Sequence, residues 1–539
     1  MHRLTGYLNL FLILWKRIVR QFYVNKRALL SFFRYNEKKV VETMEQYILA
    51  IDQGTTSSRA IIFDHACQIK AMAQKEITIE YPHPGWVEQD AINIWLSVES
   101  VIAEVIQKAN IEPAQVRAIG ISNQRETSLL WDKKTGLPIY NAIVWQSRQT
   151  DGICDRWKKE GLEKIVKEKT GLRIDPYFSA SKIEWILDHV DGARSRAENG
   201  ELMFGTIDSW LVWKITGQKV HITDVTNASR TMLFNIYESQ WDEELLKLFN
   251  IPKAILPQIR PTAYEYGKTS PYVFFGQEIP VCSVVGDQQA ALFGQRCTEK
   301  GMAKNTYGTG GFMLMNTGEN IIRSKKGLLS TVAWQINDKI TYALEGSIFV
   351  SGSLIKWLRD KMEMFIDAKD TARMAYDAKT TGGVYIVPAF VGLGAPYWDE
   401  KARASIVGLS LGTDKDQLVR AALESMAFQS RDVMEVMEEE SGIKIDRLKV
   451  DGGAASNDFL LQFQADLINC NVERFKNNEL TAMGAAYFAG LASGYWKEAD
   501  LKIELQRVFS PERPREEMNK KYRNWLSAVE ACRSFKIGE

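Results

Sequence analysis

Between Tyr47 and Asp64 the chain spells an apolar run, Tyr47–Asp52 (YILAID), then a small hydroxylated stretch, Gln53–Ser58 (QGTTSS), then a second apolar run, Arg59–Asp64 (RAIIFD). Two apolar runs around a Gly/Thr turn predict a β-hairpin. The same shape recurs in the second half: Ala303–Tyr307 leads into Gly308-Thr309-Gly310-Gly311, and Phe312–Asn316 (FMLMN) leads out. Two such hairpins about half a chain apart point to an internal duplication. Ala118–Ser122 and Leu448–Asp451 read as strands that follow helical stretches, which is the alternation of an α/β architecture. At 539 residues the chain is too long for one domain. We place the boundary near residue 295, after Ala290–Gln295, where no Ser/Gly or Pro linker intervenes. Two units sharing a cleft without a long linker have the shape of an enzyme that closes on its substrate.

Composition narrows the function. Apolar residues make up 45% and charged residues 25%, an ordinary globular mixture that excludes disorder and a membrane bundle. The net charge of +1 is the sum of two unlike parts. Residues 1–45 carry nine Lys/Arg against three Glu, and the remainder carries 59 basic against 64 acidic residues, a mildly acidic body. Such a body offers no electrostatic footprint for nucleic acid. The six cysteines are scattered with no CxxC pair, which fits a reducing, cytoplasmic setting rather than a disulfide framework or a zinc site. Five histidines lie far apart, so a histidine metal site is not expected and a Ser-His-Asp enzyme has few candidates for its base.

The first 45 residues stand apart. Leu8–Trp15 is apolar except for Asn9, but eight residues do not span a bilayer, which takes about 20. The segment lacks the small-residue cleavage site of a signal peptide, has too few serines for a mitochondrial presequence and shows mixed faces as a surface helix. We read it as an upstream extension, with the functional start at Met44, and expect no integral membrane span.

Asp52-Gln53-Gly54-Thr55-Thr56-Ser57-Ser58-Arg59 is the strongest local motif. Gly54 lets the backbone approach a ligand, and the turn N–H groups with the Thr55, Thr56 and Ser57 hydroxyls can surround phosphate oxygens. Asp52 at the strand end can hold a hydrated Mg²⁺, and Arg59 adds positive charge for a phosphoryl group. The same residues also suit a plain threonine-capped turn. Gly308–Gly311 offers a second such loop, and Asp451–Asn457 (DGGAASN) a third, suited to flat contact with a base or ribose. No GxxxxGK[ST] and no GxGxxG after a strand occurs, so the two commonest nucleotide grips are missing. Asp287, after the apolar Val281–Val285, is placed either as a general base or as the N-cap of a following helix. Arg125-Glu126 in the loop Asn123–Thr127 suits either a grip on vicinal hydroxyls or a solvated surface pair. Trp145 and Tyr177-Phe178 suit the walls of a small polyol pocket or the core.

Taken together, Asp52–Arg59, Asn123–Thr127, Trp145-Gln146, Asp175–Phe178, Gly286–Gln289, Tyr307–Gly310 and Asp451–Asn457 resemble the FGGY carbohydrate kinases, and among them those that act on glycerol. Tyr177–His189 (with Lys182 and Trp185) and Ala404–Glu424 resemble the two signatures of that family. The resemblance runs from about Gln46 to the C-terminal helices and omits only the extension. It implies two ribonuclease-H-like domains of the actin/Hsp70 type, 46–295 and 296–539, flanking a nucleotide cleft. It also implies ATP and Mg²⁺ in that cleft, transfer of a phosphoryl group to glycerol with release of ADP, and self-association as a dimer or tetramer. By position it assigns Arg125, Glu126, Tyr177, Asp287 and Gln288 to the glycerol hydroxyls and Trp145 and Phe312 to its carbon backbone. Asp287 is then the base. Thr55, Thr56, Ser57, Arg59, Thr309, Gly352, Gly453 and Asn457 contact the nucleotide, with Arg59 at the transferred group, and Asp52 positions Mg²⁺. Two positions depart from the pattern. Lys356 stands where the family often has glutamine near the nucleotide. Pro271–Gln277 (PYVFFGQ) replaces the glycine-rich loop that binds fructose 1,6-bisphosphate in some bacterial members, so that inhibition is not implied.

Overall fold

Tyr47–Gln53 is buried at every position, which explains a strand that reads as one apolar run rather than an alternation. It is the first strand of a computed structural model that describes residues 45–535. The extension expected over residues 1–45 lies outside the described residues apart from Glu45.

In the first half, β1 (Tyr47–Gln53), β2 (Ser57–Phe63) and β3 (Ile69–Glu76) form an antiparallel meander. β4 (Val116–Asn123) lies parallel to β1, β5 (Ala263–Lys268) is antiparallel to β6 (Pro280–Gly286), and β6 is parallel to β4. The resulting order is β3-β2-β1-β4-β6-β5.

The second half repeats this plan. β7 (Ala303–Tyr307), β8 (Gly311–Gly318) and, beyond it, β10 (Lys339–Ile348) make an antiparallel set, with β9 (Leu329–Ile336) outside β10. β11 (Arg447–Asp451) runs parallel to β7, β12 (Asn471–Phe475) parallel to β11, and β13 (Leu505–Phe509) antiparallel to β12. The order β10-β8-β7-β11-β12-β13 matches that of the first half strand for strand, with the same parallel and antiparallel steps. The duplication read from two hairpins is thus a duplication of whole sheets. The two sheets join through a single residue pair, Ala263 of β5 beside Ile336 of β9.

Each half buries its own core, and a third apolar cluster is common to both: Ile48, Ala50, Ala118 and Val285 pack with Phe475, Leu480, Ala485 and Tyr487. The last three belong to the helix Leu480–Ala492, which follows β12 and crosses to the first sheet. Small residues make the crossing possible. A Cβ on Gly484 would stand 1.9 Å from the carbonyl oxygen of Ala290, in the helix Asp287–Gly294, and one on Gly120 of β4 would stand 2.3 Å from that of Ala485. Among the described residues no helix is long and apolar enough to cross a membrane.

Candidate active site

Parallel strands end on one side of a sheet, and loops at their carboxyl ends form the crevice of such folds. In the first half β1, β4 and β6 end side by side: Asp52 is level with Ser122, and Asn123 with Gly286. Asp52, the Arg125-Glu126 pair and Asp287 therefore emerge from three adjacent strand ends. Asp287 opens its helix as the first helical residue, while the cap position belongs to Gly286. The expectation of an Asp287 N-cap is corrected by one residue, and its side chain is about a third exposed.

Arg125 and Glu126 are not a solvated pair; they are 2% and 1% exposed. Arg125 Nε lies 3.2 Å from Asp287 Oδ1, and Nη2 donates to the Tyr177 hydroxyl at 3.3 Å. Nη1 and Nη2 both donate to Glu345, at 2.6 and 3.1 Å. Arg230 Nε donates to Glu126 Oε1 at 2.6 Å, and its Nη2 to Glu345 Oε1 at 2.9 Å. Burial works against every charge here. Burial pushes the Glu126 carboxyl up, with Arg125 and Arg230 pulling it back. For Glu345 the burial effect is outweighed by Arg125 and then Arg230, which bring it down to about 2. Arg125 rises well above its ordinary value, because Glu345 and Glu126 overcome desolvation. The backbone of Glu126 sits at φ 61°, a left-handed conformation uncommon for a side-chain-bearing residue. The Ser128 and Ser179 hydroxyls donate to its carbonyl and hold it there.

Tyr177 is delivered by a loop built for the purpose. The ammonium of Lys182, fully buried in the helix Ser179–His189, donates to the carbonyls of Pro176, Tyr177 and Phe178 at 2.5, 2.8 and 2.9 Å. The Asp175 carboxylate accepts the Tyr177 amide at 2.8 Å. Tyr177, Trp145 and Phe312 pack edge to face and, with Thr309, line a cavity of about 530 Å³. Phe178 turns the other way, into the core. On the floor of the site Gln288 Nε2 donates to Asp287 Oδ2 at 3.1 Å. Its Oε1 accepts from Lys304, a fully buried ammonium on β7, at 2.5 Å.

The second half contributes a different surface. β7 and β11 end at Tyr307 and Asp451, with Thr306 level with Asp451. Their loops and the start of the helix Gly352–Asp360 line a second cavity of about 770 Å³, with Thr309, Gly352, Gly453, Asn457, Lys356 and Leu423 on its wall. Thr309 lines both cavities, so the two are neighbours at that residue. Glycines set the wall's position: Gly452 has φ +87°, and a Cβ on Gly352 would stand 2.6 Å from the Gly308 carbonyl oxygen. Backbone this close, free of side chains, suits the approach of a phosphate-bearing ligand.

Of the first hairpin, Thr55 reaches the site directly, its hydroxyl accepting the Trp145 indole N–H at 2.9 Å. Thr56 is exposed, and the Ser57 hydroxyl accepts from Gln74 at 3.2 Å. Arg59 pairs with Glu479 at 3.2 Å and donates to Gln74. Neither cavity wall includes Thr56, Ser57 or Arg59, nor Asp52, Thr55, Arg125, Glu126, Asp287 or Gln288; Thr55 and Arg125 adjoin the aromatic-walled cavity through Trp145 and Tyr177. Burial pushes Asp52 up to about 7, with Arg59 pulling it down. No cluster of three or more His, Cys, Asp or Glu suited to a metal occurs among the described residues. Mg²⁺ held through one carboxylate, waters and phosphate oxygens needs no such cluster. A buried carboxyl at Asp52, together with an unpartnered buried Oδ1 at Asp451, fits a hydrated cation with a phosphate chain.

Sequence reading missed Arg230, Glu345 and Lys304. The available signal was a lone charge in a strand-like run, Glu345 within Thr341–Ile348 and Lys304 within Ala303–Tyr307, and Arg230 carried none.

The matches to known proteins agree with this geometry. Residues 47–294 match the N-terminal domain of the FGGY family of carbohydrate kinases, and residues 303–493 match its C-terminal domain. The chain is 57% identical over 497 residues to glycerol kinase of Staphylococcus epidermidis, covering 92% of this chain and all of the relative. It is 58% identical over 498 residues to glycerol kinase of Carboxydothermus hydrogenoformans, with the same coverage. The crystal structure of Plasmodium falciparum glycerol kinase with ADP superposes with a TM-score of 0.85 at 36% identity, covering 92% of this chain and 99% of that one. Xylulose kinase of Lactobacillus acidophilus shares the fold at 21% identity, with a TM-score of 0.82 over 91% of this chain and 99% of that one.

Proposed function

The chain belongs to the FGGY family of carbohydrate kinases, and from that premise we propose that it transfers the γ-phosphoryl group of ATP to glycerol, giving sn-glycerol 3-phosphate and ADP. One observation carries the reading: Arg125, 3.2 Å from the base-like Asp287, also donates to the hydroxyl of Tyr177, whose ring lines an aromatic-walled cavity that shares Thr309 with a glycine-lined one.

In this reading Arg125 donates to one hydroxyl of glycerol and Glu126 accepts from a neighbour, while Trp145, Tyr177 and Phe312 cover the carbons. The Asp287 carboxylate accepts the proton of the attacking hydroxyl as its oxygen bonds to the γ-phosphorus and the bond to the β-phosphate oxygen breaks. Arg125, with Nε 3.2 Å from Asp287 Oδ1, keeps that carboxylate in place for the step. Transfer of this kind rests on positioning and charge, and the chain supplies both without a cysteine or histidine centre. Thr309, Gly352, Gly453 and Asn457 would hold the nucleotide, and Thr55, Thr56, Ser57 and Arg59 the phosphates. Arg59 would have to leave Glu479 to do so. Asp52 would hold Mg²⁺, which when bound neutralises charge on the phosphate oxygens. We take 46–295 as the acceptor unit and 296–539 as the nucleotide unit. Six cysteines free of disulfides support a cytoplasmic setting.

The test is ADP release with ATP and Mg²⁺ across glycerol, dihydroxyacetone, erythritol, xylulose and ribulose. Turnover highest with glycerol is expected, and turnover only with a larger sugar refutes the acceptor assignment. Asp287→Ala should abolish turnover while ADP still binds; retained turnover removes Asp287 as the base.

A further inference from the structure

The two side chains that would grip the polyol are held in place by a residue from the opposite half. Glu345 stands on β10, fully buried. Its Oε2 accepts from Arg125 Nη1, and its Oε1 accepts from Arg125 Nη2, from Arg230 Nη2 and, at 3.2 Å, from the Ser347 hydroxyl. Arg230 carries the link on to Glu126, so Arg125 and Glu126, adjacent in the chain, both hang from one carboxylate.

This arrangement constrains direction as well as charge. A guanidinium is a rigid plane with five N–H donors in a fixed fork. Once Nη1 and Nη2 are spent on the two oxygens of Glu345, the plane of the guanidinium is fixed, with Nε 3.2 Å from Asp287 Oδ1. Charge closes too, because two arginines face two glutamates, all at most 2% exposed. An amide in place of Glu345 would turn an N–H₂ toward guanidinium donors, break at least one contact and leave Glu126 as the one buried carboxylate between the two buried arginines.

We propose that Glu345 is a positioning residue of the acceptor site, fixing Arg125 directly and Glu126 through Arg230 for recognition of the polyol hydroxyls. This rests on the glycerol reading above. Glu345 touches neither substrate in that scheme: its two oxygens are taken by Arg125, Arg230 and Ser347. Its signature is therefore a split between the two substrates, which a purely structural role would not produce.

The experiment is steady-state kinetics with calorimetric ADP binding on the full chain, for wild type, Glu345→Gln, Glu345→Asp and Arg230→Lys. For Glu345→Gln the glycerol KM should rise about ten- to a hundredfold, the range for losing a charge-assisted hydrogen bond. The ATP KM and ADP affinity should stay within about twofold. Glu345→Asp keeps the charge and should recover part of the loss. Arg230→Lys keeps the charge but not the two-way link, and should also raise the glycerol KM. It decides the matter on its own if Glu345→Gln does not fold. A glycerol KM unchanged in the folded variants, or both KM values moving together, overturns the positioning role. Wild type that does not turn over glycerol overturns the acceptor reading, and this inference with it.

Discussion

Gly484→Ala adds one methyl group about as far from solvent as the molecule allows, and its effect can be worked out from the packing. The new Cβ would lie 1.9 Å from the Ala290 carbonyl oxygen, whereas ordinary Cβ contacts start near 3.4 Å, so the backbones must part by about 1.5 Å. The helix Leu480–Ala492 has no room to retreat. On its other side Gly120 admits the Ala485 carbonyl at a distance where even a Cβ would clash. The helix Asp287–Gly294 must take up the shift, and Asp287 lies one turn before Ala290. Two effects oppose each other. Alanine for glycine in a helix stabilises by about 1 kcal/mol, while overpacking a filled site costs typically about 1–3 kcal/mol. A displacement of this size against rigid backbone lies at the upper end of that range, so net destabilisation of about 1–2 kcal/mol is expected. The catalytic effect is larger, since a misplacement of about 1 Å can cost about a hundredfold. Thermal unfolding, glycerol-dependent ADP release and ADP binding measure the three quantities. The melting temperature should fall by a few degrees and kcat by about ten- to a hundredfold. ADP affinity should hold, because Gly453 and Asn457 lie in the other half. A melting temperature at or above wild type with kcat within twofold refutes the argument that this contact sets the position of Asp287.

Burial pushes Lys304 down to about 8 from an ordinary 10.5, with Asp451 and Asp287 pulling it back. Its charged form therefore costs stability below pH 8, and the cost is relieved as pH rises from 8 to 10.5. Wild type should gain on Lys304→Met across that window by up to about 3 kcal/mol in paired urea titrations, and parallel curves would refute the assignment. Trp145→Phe loses the indole N–H on Thr55, a bond worth about 1 kcal/mol, and should raise the glycerol KM several-fold while sparing ADP binding. Adding Thr55→Val to Trp145→Phe should raise the glycerol KM little further, because the partner is already gone, with any added loss falling on ATP; additive losses in glycerol KM would show that the two do not act through that bond.

What was legible in the sequence was local. Both hairpins, the strands at Ala118–Ser122 and Leu448–Asp451 and the carboxylate at the end of Val281–Val285 each depend on a few consecutive residues. The burial of Arg125 and Glu126 depends on partners 220 and 104 positions away, and no local pattern encodes that separation. Judged alone, an adjacent Arg-Glu pair in a loop is best read as solvated, and that rule failed here because Glu345 and Arg230 compensate the desolvation. The N-cap alternative for Asp287 was off by one position for a simpler reason: Gly286 supplies the extended cap conformation without a capping side chain, and Asp287 starts the helix. The structure also leaves Ser57 bonded to Gln74 and Arg59 paired with Glu479, contacts that a turn motif does not announce.

The duplicated sheets explain how one topology supports two kinds of recognition. Equivalent strand ends carry Asp52, Arg125-Glu126 and Asp287 in the first half, and Gly308-Thr309-Gly310 and the Asp451–Asn457 loop in the second. An acceptor alcohol needs charged groups that give and take protons, whereas a nucleotide needs bare backbone at close range. The halves are nevertheless not independent. The second sends Glu345 to Arg125 and Lys304 to Gln288, and so holds the two residues that contact Asp287 from either side. The geometry of the base is thus set across the junction of the halves, with two buried charges from one acting on a carboxylate in the other. Gly484→Ala, which displaces a helix at that junction, and Glu345→Gln, which removes one of those charges, disturb the same distance from opposite ends. Their effects on glycerol turnover should therefore be less than additive, whereas unrelated defects would multiply.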